Sequence, residues 1–294
     1  MLVTYISVER SILKVMSCDV RKLSHLRTIG SINEIRFPTN SEDVRDAYIY
    51  AEENGLKAFS IGGGSNTLIG HLNKVMLISD RKYEYEWEVS DDILVLSSNH
   101  NINYIIMRAL QIGLGGLEFL AGIPAHLGGL VFMNAGANGR TISEFVEWID
   151  IVNEDGEKRI LRKDIDFGYR KSGISGYITR VCLRLEKGQS SEAIRAQIKH
   201  SVLNRKQKQP LSMPNLGCFF KNTEKHSAGY LIEKAGLKSY RIGGAMVSPL
   251  HANFLVNAGD AKFEDFVALI ERVKGVVQRD FNVLLEEEVR IINE

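Results

Sequence analysis

The sequence predicts an α+β protein, and two changes of pattern along its 294 residues carry that prediction. A helical period occupies residues 41–54, whereas alternation of aromatic and acidic residues begins at Tyr83, so helix and half-exposed sheet follow one another. A chain of this length holds two or three units, each with its own core. The breaks in pattern place these at residues 1–80, 81–188 and 189–294, with the last segment, 283–294, a candidate to pack back onto the first unit.

In chain order, Ser41-Glu42-Asp43 is expected to cap a helix through Val44, Ala47, Tyr48 and Ala51 that stops at Asn54-Gly55. The apolar runs Ala58-Phe59-Ser60-Ile61 and Val75-Met76-Leu77-Ile78 read as buried strands. Tyr83, Tyr85, Trp87 and Val89 share one face of a strand that turns at Ser90-Asp91-Asp92 into Ile93-Leu94-Val95-Leu96. A helix over 101–111 ends at Gly113, strands follow at 148–152, 158–162 and 177–185, and Glu186-Lys187-Gly188-Gln189-Ser190-Ser191 reads as a linker. Beyond it come a basic amphipathic helix to about Gln207, a loop with Pro210 and Pro214, and a compact unit alternating helix and strand.

Composition narrows the function. A formal charge of +1 gives no field for collecting nucleic acid or an anionic membrane. No apolar run reaches the ~20 residues that span a bilayer, and the charged N-terminus does not read as a signal peptide, so a cytoplasmic protein is expected. Cys18, Cys182 and Cys218 have no paired spacing and the seven histidines are scattered, so neither a disulfide framework nor a metal site is expected.

The chemical signal is concentrated in Ile61-Gly62-Gly63-Gly64-Ser65-Asn66-Thr67, where a strand opens into bare backbone. Consecutive glycines permit positive φ and close approach of amides to an anion, and Ser65 and Asn66 add side-chain hydrogen bonds. On these residues alone, a phosphate loop and a plain glycine turn stand at even odds. The stretch lacks the Gly-Lys-Ser/Thr of a triphosphate loop and the Gly-x-Gly-x-x-Gly of a Rossmann turn. A second glycine-rich region, residues 113–139, is too apolar for a solvated linker and reads as backbone packed against a flat ligand or another backbone.

Four separated blocks then agree with one family. Gly62-Gly63-Gly64-Ser65-Asn66, Gly116-Leu117-Glu118-Phe119-Leu120-Ala121-Gly122-Ile123-Pro124 with Met133-Asn134-Ala135-Gly136, Tyr169-Arg170-x-Ser172, and Gly217-Cys218-Phe219-Phe220-Lys221-Asn222 resemble the UDP-N-acetylenolpyruvoylglucosamine reductases. The resemblance extends in order from about residue 20 to Glu288-Val289-Arg290, and the chain is similar to the shorter, second type of that family.

The resemblance implies a vanillyl-alcohol-oxidase-type FAD-binding fold of two α+β subdomains with a C-terminal α/β substrate domain. It implies an NADPH-dependent flavoenzyme that reduces UDP-N-acetylglucosamine enolpyruvate to UDP-N-acetylmuramate in peptidoglycan precursor synthesis, with a UDP-sugar as its small-molecule partner and a monomer as its expected state. Non-covalent FAD would lie on Ile61, Gly62, Gly63, Gly64, Ser65, Asn66 and Thr67, with Gly122, Ile123, Pro124, Gly128, Asn134, Gly136 and Ile178 around the rest. Arg170 would hold the substrate carboxylate, Cys218 would stand where most of the family has serine as proton donor, and Glu288 would be the C-terminal glutamate with a raised pKa. Glu286 and Glu287 leave the register of that glutamate open on sequence alone. Lys221 and Asn222 would reach the nucleotide.

The chain departs from the family at Ser24-His25-Leu26-Arg27-Thr28-Ile29-Gly30-Ser31, at Ser97-Ser98-Asn99-His100 and at Ala125-His126, where small or glycine turns are usual. A side chain forced into glycine geometry costs on the order of 1 kcal/mol, so cofactor affinity is where these departures bear. Two rivals to the reductase follow: a flavoprotein oxidase of the same fold, and a nucleotide-sugar binding protein depleted of flavin.

Overall fold

A computed structural model describes residues 18–293, and the reading of the charged N-terminus therefore lies almost wholly outside the described residues. The first unit is built on a parallel sheet in the order Ile35–Arg36, Val75–Ser79, Lys57–Ile61. Its middle strand is buried at every position, as an unbroken apolar run in a parallel sheet should be. Helix α1 (Ser41–Glu53) covers it with Val44, Ala47 and Ala51 packed against Met76 and Ile78. The cap differs from expectation: Asn40 is extended and its side chain accepts from the Asp43 N–H, because it sits three residues before that donor and Ser41 is already in the helix.

Five antiparallel strands make the second unit, in the order Gly156–Leu161, Val146–Asn153, Tyr177–Arg184, Ile93–Ser97, Trp87–Ser90. The hairpin at Asp91-Asp92 is present, with Asp91 at φ 59°, but its first strand begins only at Trp87. Tyr83 instead ends a short 3-10 turn and lays its ring 5.9 Å from that of Tyr177, while Tyr85 stands exposed beside His100. Helices α2 (Ile102–Gln111) and α3 (Leu127–Phe132) bury one face of this sheet. Asn101 caps α2, and Gly113, at φ 75°, ends it as its sequence signals indicate.

Helix α4 (Ser191–Lys208), capped by Ser190, lies back on the second unit, where Arg205 donates to the carbonyls of Phe119 and Ala121 at 3.0 Å. Residues 186–191 are correspondingly not a free tether. Glu186 exchanges two backbone hydrogen bonds with Gly115 and receives Arg140 at 2.7 Å. The third core joins α5 (Ala228–Lys234), α6 (Phe263–Phe281) and the strands Arg241–Ile242, Ala245–Val247 and Leu255–Asn257 around Phe219, Phe220 and Phe266. From there the chain returns to the first unit, and Arg290–Ile292 pairs in parallel with Thr67–Ile69.

Candidate active site

A cavity of about 840 Å³ opens where the three cores approach one another. Its walls are the glycine loop, residues 122–126, 128–130, 132–133, 135–136, 174–178, 209 and 211–218, and the side chains of Arg170, Glu288 and Arg290. Such a volume suits a dinucleotide-sized ligand.

The loop is shaped by one residue. Of its three glycines only Gly64 takes positive φ, 73°, and a methyl group there would stand 1.8 Å from the Leu23 carbonyl. Gly62 and Gly63 keep ordinary backbone angles, so their bareness serves space rather than conformation: a methyl on either would come within 3.3 Å of Asp80 or His126. Asn66 is tied at both ends to the returning C-terminal segment, donating to the Glu288 carbonyl at 3.2 Å and accepting from Arg290 N–H at 3.0 Å. Thr67 begins the strand that pairs with Arg290.

Backbone register brings together the residues proposed to act on substrate. The Glu288 N–H donates to the Phe219 carbonyl at 2.8 Å, which sets Glu288 beside Cys218 at the cavity wall. It also resolves the three glutamates: Glu286 pairs with Lys221, Glu287 pairs with Lys274 at 2.8 Å, and Glu288 faces the cavity. Arg170 reaches it from the opposite wall, out of a tight turn in which Gly168 and Lys171 exchange backbone hydrogen bonds and Arg170 is at φ 56°. A non-glycine residue held there stores about 1–3 kcal/mol of strain, which the surrounding contacts must offset.

The Arg170 Nε lies 2.8 Å from Glu288 Oε1, but its N–H has no aligned acceptor, so the contact is an ion pair rather than a hydrogen bond. Nη2 donates to the Gly136 carbonyl at 3.1 Å. Burial raises the Glu288 carboxyl above the usual carboxylate value while Arg170 pulls it back. The expected raise is therefore present, and desolvation is its cause. Burial, reinforced by the Glu288 charge, pushes the Cys218 thiol up to about 11. At neutral pH this thiol carries its proton.

Gly122, Ile123, Pro124, Gly128, Gly136 and Ile178 all lie on the cavity wall. Asn134 does not. Its amide donates to the Gly168 carbonyl at 2.9 Å and its oxygen accepts from Ser143 N–H, so it pins the glycine-rich segment from behind. Lys221 and Asn222 also lie outside the lining, the first held by Glu286 and the second accepting from Ala228 N–H at the start of α5. The sequence reading gave His25 and Arg27 only as part of a departing block on the flavin side, and missed Tyr48, Arg205 and the full extent of loop 209–217. Arg290, read only as the end of a motif, lies 4.9 Å from the Phe132 ring and 5.5 Å from Phe59. None of these carries a local pattern; each is recruited by a chain crossing distant in sequence.

The departures from the family prove conformationally mild. Residues 97–100 and 125–126 keep negative φ, and only Arg27, at φ 55°, occupies a glycine-like conformation. His126 instead makes a contact of its own, its Nδ1 2.7 Å from Asp80 Oδ2.

Comparison with known proteins agrees with this architecture. A family model described as UDP-N-acetylenolpyruvoylglucosamine reductase, C-terminal domain, matches residues 209–292, and one described as FAD binding domain matches residues 33–161. The chain is 36% identical over 285 residues to the UDP-N-acetylenolpyruvoylglucosamine reductase of Clostridium botulinum (strain 657 / Type Ba4), covering 94% of this chain and 91% of that one. With the reductase of Pediococcus pentosaceus it is 36% identical over 278 residues, 93% of this chain and 92% of the relative. The crystal structure of the UDP-N-acetylenolpyruvylglucosamine reductase from Thermus caldophilus superposes with a TM-score of 0.81 at 29% identity, over 95% of this chain and 99% of that one.

Proposed function

We propose that this chain, which belongs to the UDP-N-acetylenolpyruvoylglucosamine reductase family, uses NADPH to reduce the enolpyruvyl ether of UDP-N-acetylglucosamine to UDP-N-acetylmuramate, a step in peptidoglycan precursor synthesis. FAD is its cofactor. The observation that carries the reading is the meeting of Arg170, Cys218 and Glu288, from three distant segments, in the cavity that the glycine loop enters.

The residues present fit FAD: the cavity is large enough, and residues 62–67 lay bare backbone and the Ser65 hydroxyl along one wall. Bound there, FAD supplies hydride transfer from NADPH to the enolpyruvyl carbon. Among the protein groups, Arg170 is assigned to the substrate carboxylate, since a planar guanidinium matches two oxygens and opposes the charge that grows on them. Cys218 is assigned as proton donor to the neighbouring carbon, because a thiol that stays protonated at neutral pH is still a far stronger acid than a serine hydroxyl. Glu288, whose carboxyl burial raises above the usual carboxylate value, is assigned to hydrogen-bond the developing charge once protonated. Lys221 serves the diphosphate only by leaving Glu286, a small cost for an exposed pair. NADPH and the sugar nucleotide use the cavity in turn, in ping-pong order.

The test is an anaerobic visible spectrum of the purified full chain. NADPH should bleach its yellow colour, and the UDP-enolpyruvyl sugar should restore it. Bleaching without recovery under the sugar nucleotide, or recovery only with oxygen, would replace the reductase by an oxidase of the same fold.

A further inference from the structure

One acidic group lining the cavity has no place in the mechanism above. Asp80, at the end of the central strand Val75–Ser79, has a side chain only 6% exposed, and its Oδ1 has no hydrogen-bond partner. Its Oδ2 lies against the glycine loop, 3.3 Å from where a methyl on Gly62 would stand. A buried carboxylate beneath that loop repels the pyrophosphate that the loop is suited to hold. The arrangement is sustainable only if its charge is neutralised when the anion arrives.

The neutralising partner is in place. His126 Nδ1 is 2.7 Å from Asp80 Oδ2, and the other edge of the ring covers Gly63, with Cδ2 and Nε2 at 3.3 and 3.5 Å from the position of a methyl there. The ring lines the cavity. An imidazole anchored by a carboxylate at Nδ1 has a fixed orientation, and once protonated it presents Nε2–H to whatever lies on the loop. The titratable groups coupled to His126 are His25 of the first unit, itself beside Arg81 and Arg27, and His100 ahead of α2, and burial lowers the pKa of both imidazoles. Arg81 is occupied by the carbonyls of Lys22 and Leu23.

We infer that His126, held by Asp80, is a charged donor to the cofactor pyrophosphate, and that FAD binding draws one proton from solvent onto its imidazole. The inference rests on the assignment of FAD to the glycine loop. It makes the side chain that replaces a small residue at this point a binding group in its own right.

The experiment is calorimetry of FAD and of riboflavin binding to the full chain stripped of flavin, each in two buffers of different ionisation enthalpy near pH 7.5. Wild type should take up protons with FAD and none with riboflavin, which has no phosphate. His126→Gln should abolish the uptake and weaken FAD ~10–100-fold, the usual worth of a charge-assisted hydrogen bond, with riboflavin unchanged. Asp80→Asn, nearly isosteric, should also abolish the uptake. Proton uptake that persists in His126→Gln, absence of uptake in wild type, or equal weakening of FAD and riboflavin would overturn the inference. Failure of the wild-type chain to bind FAD at all would overturn instead the cofactor assignment beneath it.

Discussion

Cys218 and Glu288 bear on each other within the cavity wall, since the Glu288 charge adds to the burial that raises the thiol and burial raises the carboxyl as well. Cys218→Ala should leave bleaching by NADPH intact and slow the sugar-nucleotide half-reaction by ~10²–10⁴, measured by anaerobic stopped flow, with Cys218→Ser far milder. Equal loss in both half-reactions would remove the thiol from its assigned role. An acid raised to about 11 stays protonated until the pH approaches that value. The sugar-nucleotide half-reaction should therefore show no fall between pH 8 and 9.5, where an ordinary thiol would already be losing its proton. Asn134 is a different kind of residue, wholly spent on support: Asn134→Ala removes its bond to the Gly168 carbonyl and leaves the buried Ser143 N–H without its acceptor, and should cost about 1–3 kcal/mol in urea unfolding.

At the scale of elements, the glycine loop works because its turn is clamped from two sides. Gly64 yields to the Leu23 carbonyl, and Asn66 is tied to the C-terminal segment. Gly64→Ala combines positive φ with a steric overlap against backbone, so it should cost more than the ~1–3 kcal/mol of strain alone and release FAD during gel filtration. Gly62→Ala, whose methyl meets only side-chain atoms at 3.3 Å or more, should be tolerated far better in the same assay. Helix α4 is the element whose sequence most conceals its role. Its pattern is polar and basic, yet Ile194 is buried and Arg205 closes the chain against residues 119–121. Helical periodicity reports that a helix exists and says nothing of which neighbour it lies on.

Across the whole molecule, three cores meet at one cavity, and the strand Arg290–Ile292 ties the third to the first. Ending the chain after Glu288 would remove the parallel partner of Thr67–Ile69 along with Ile292 from the first core. That truncation should make residues 20–80 susceptible to limited proteolysis and abolish FAD retention. Ligand linkage gives the complementary measurement: FAD at a hundredfold excess over its Kd should stabilise the intact chain by ~2.7 kcal/mol and raise its Tm by several degrees.

The α+β class, helices α1 and α2, and the FAD-binding character were legible in the sequence because each depends on local information: apolar period, cap and stop residues, and blocks such as Gly62-Gly63-Gly64-Ser65-Asn66. Cys218 and Arg170 could be singled out for the same reason, each standing in its own short motif. What only the tertiary structure decided was which groups share one space. Backbone pairing of Glu288 with Phe219 chose among three adjacent glutamates, Asn134 turned away from the cavity to bind Gly168, and Asp80 met His126 across 46 residues of chain. Those outcomes follow from strand register and core packing between distant segments, and no window of neighbouring residues contains them.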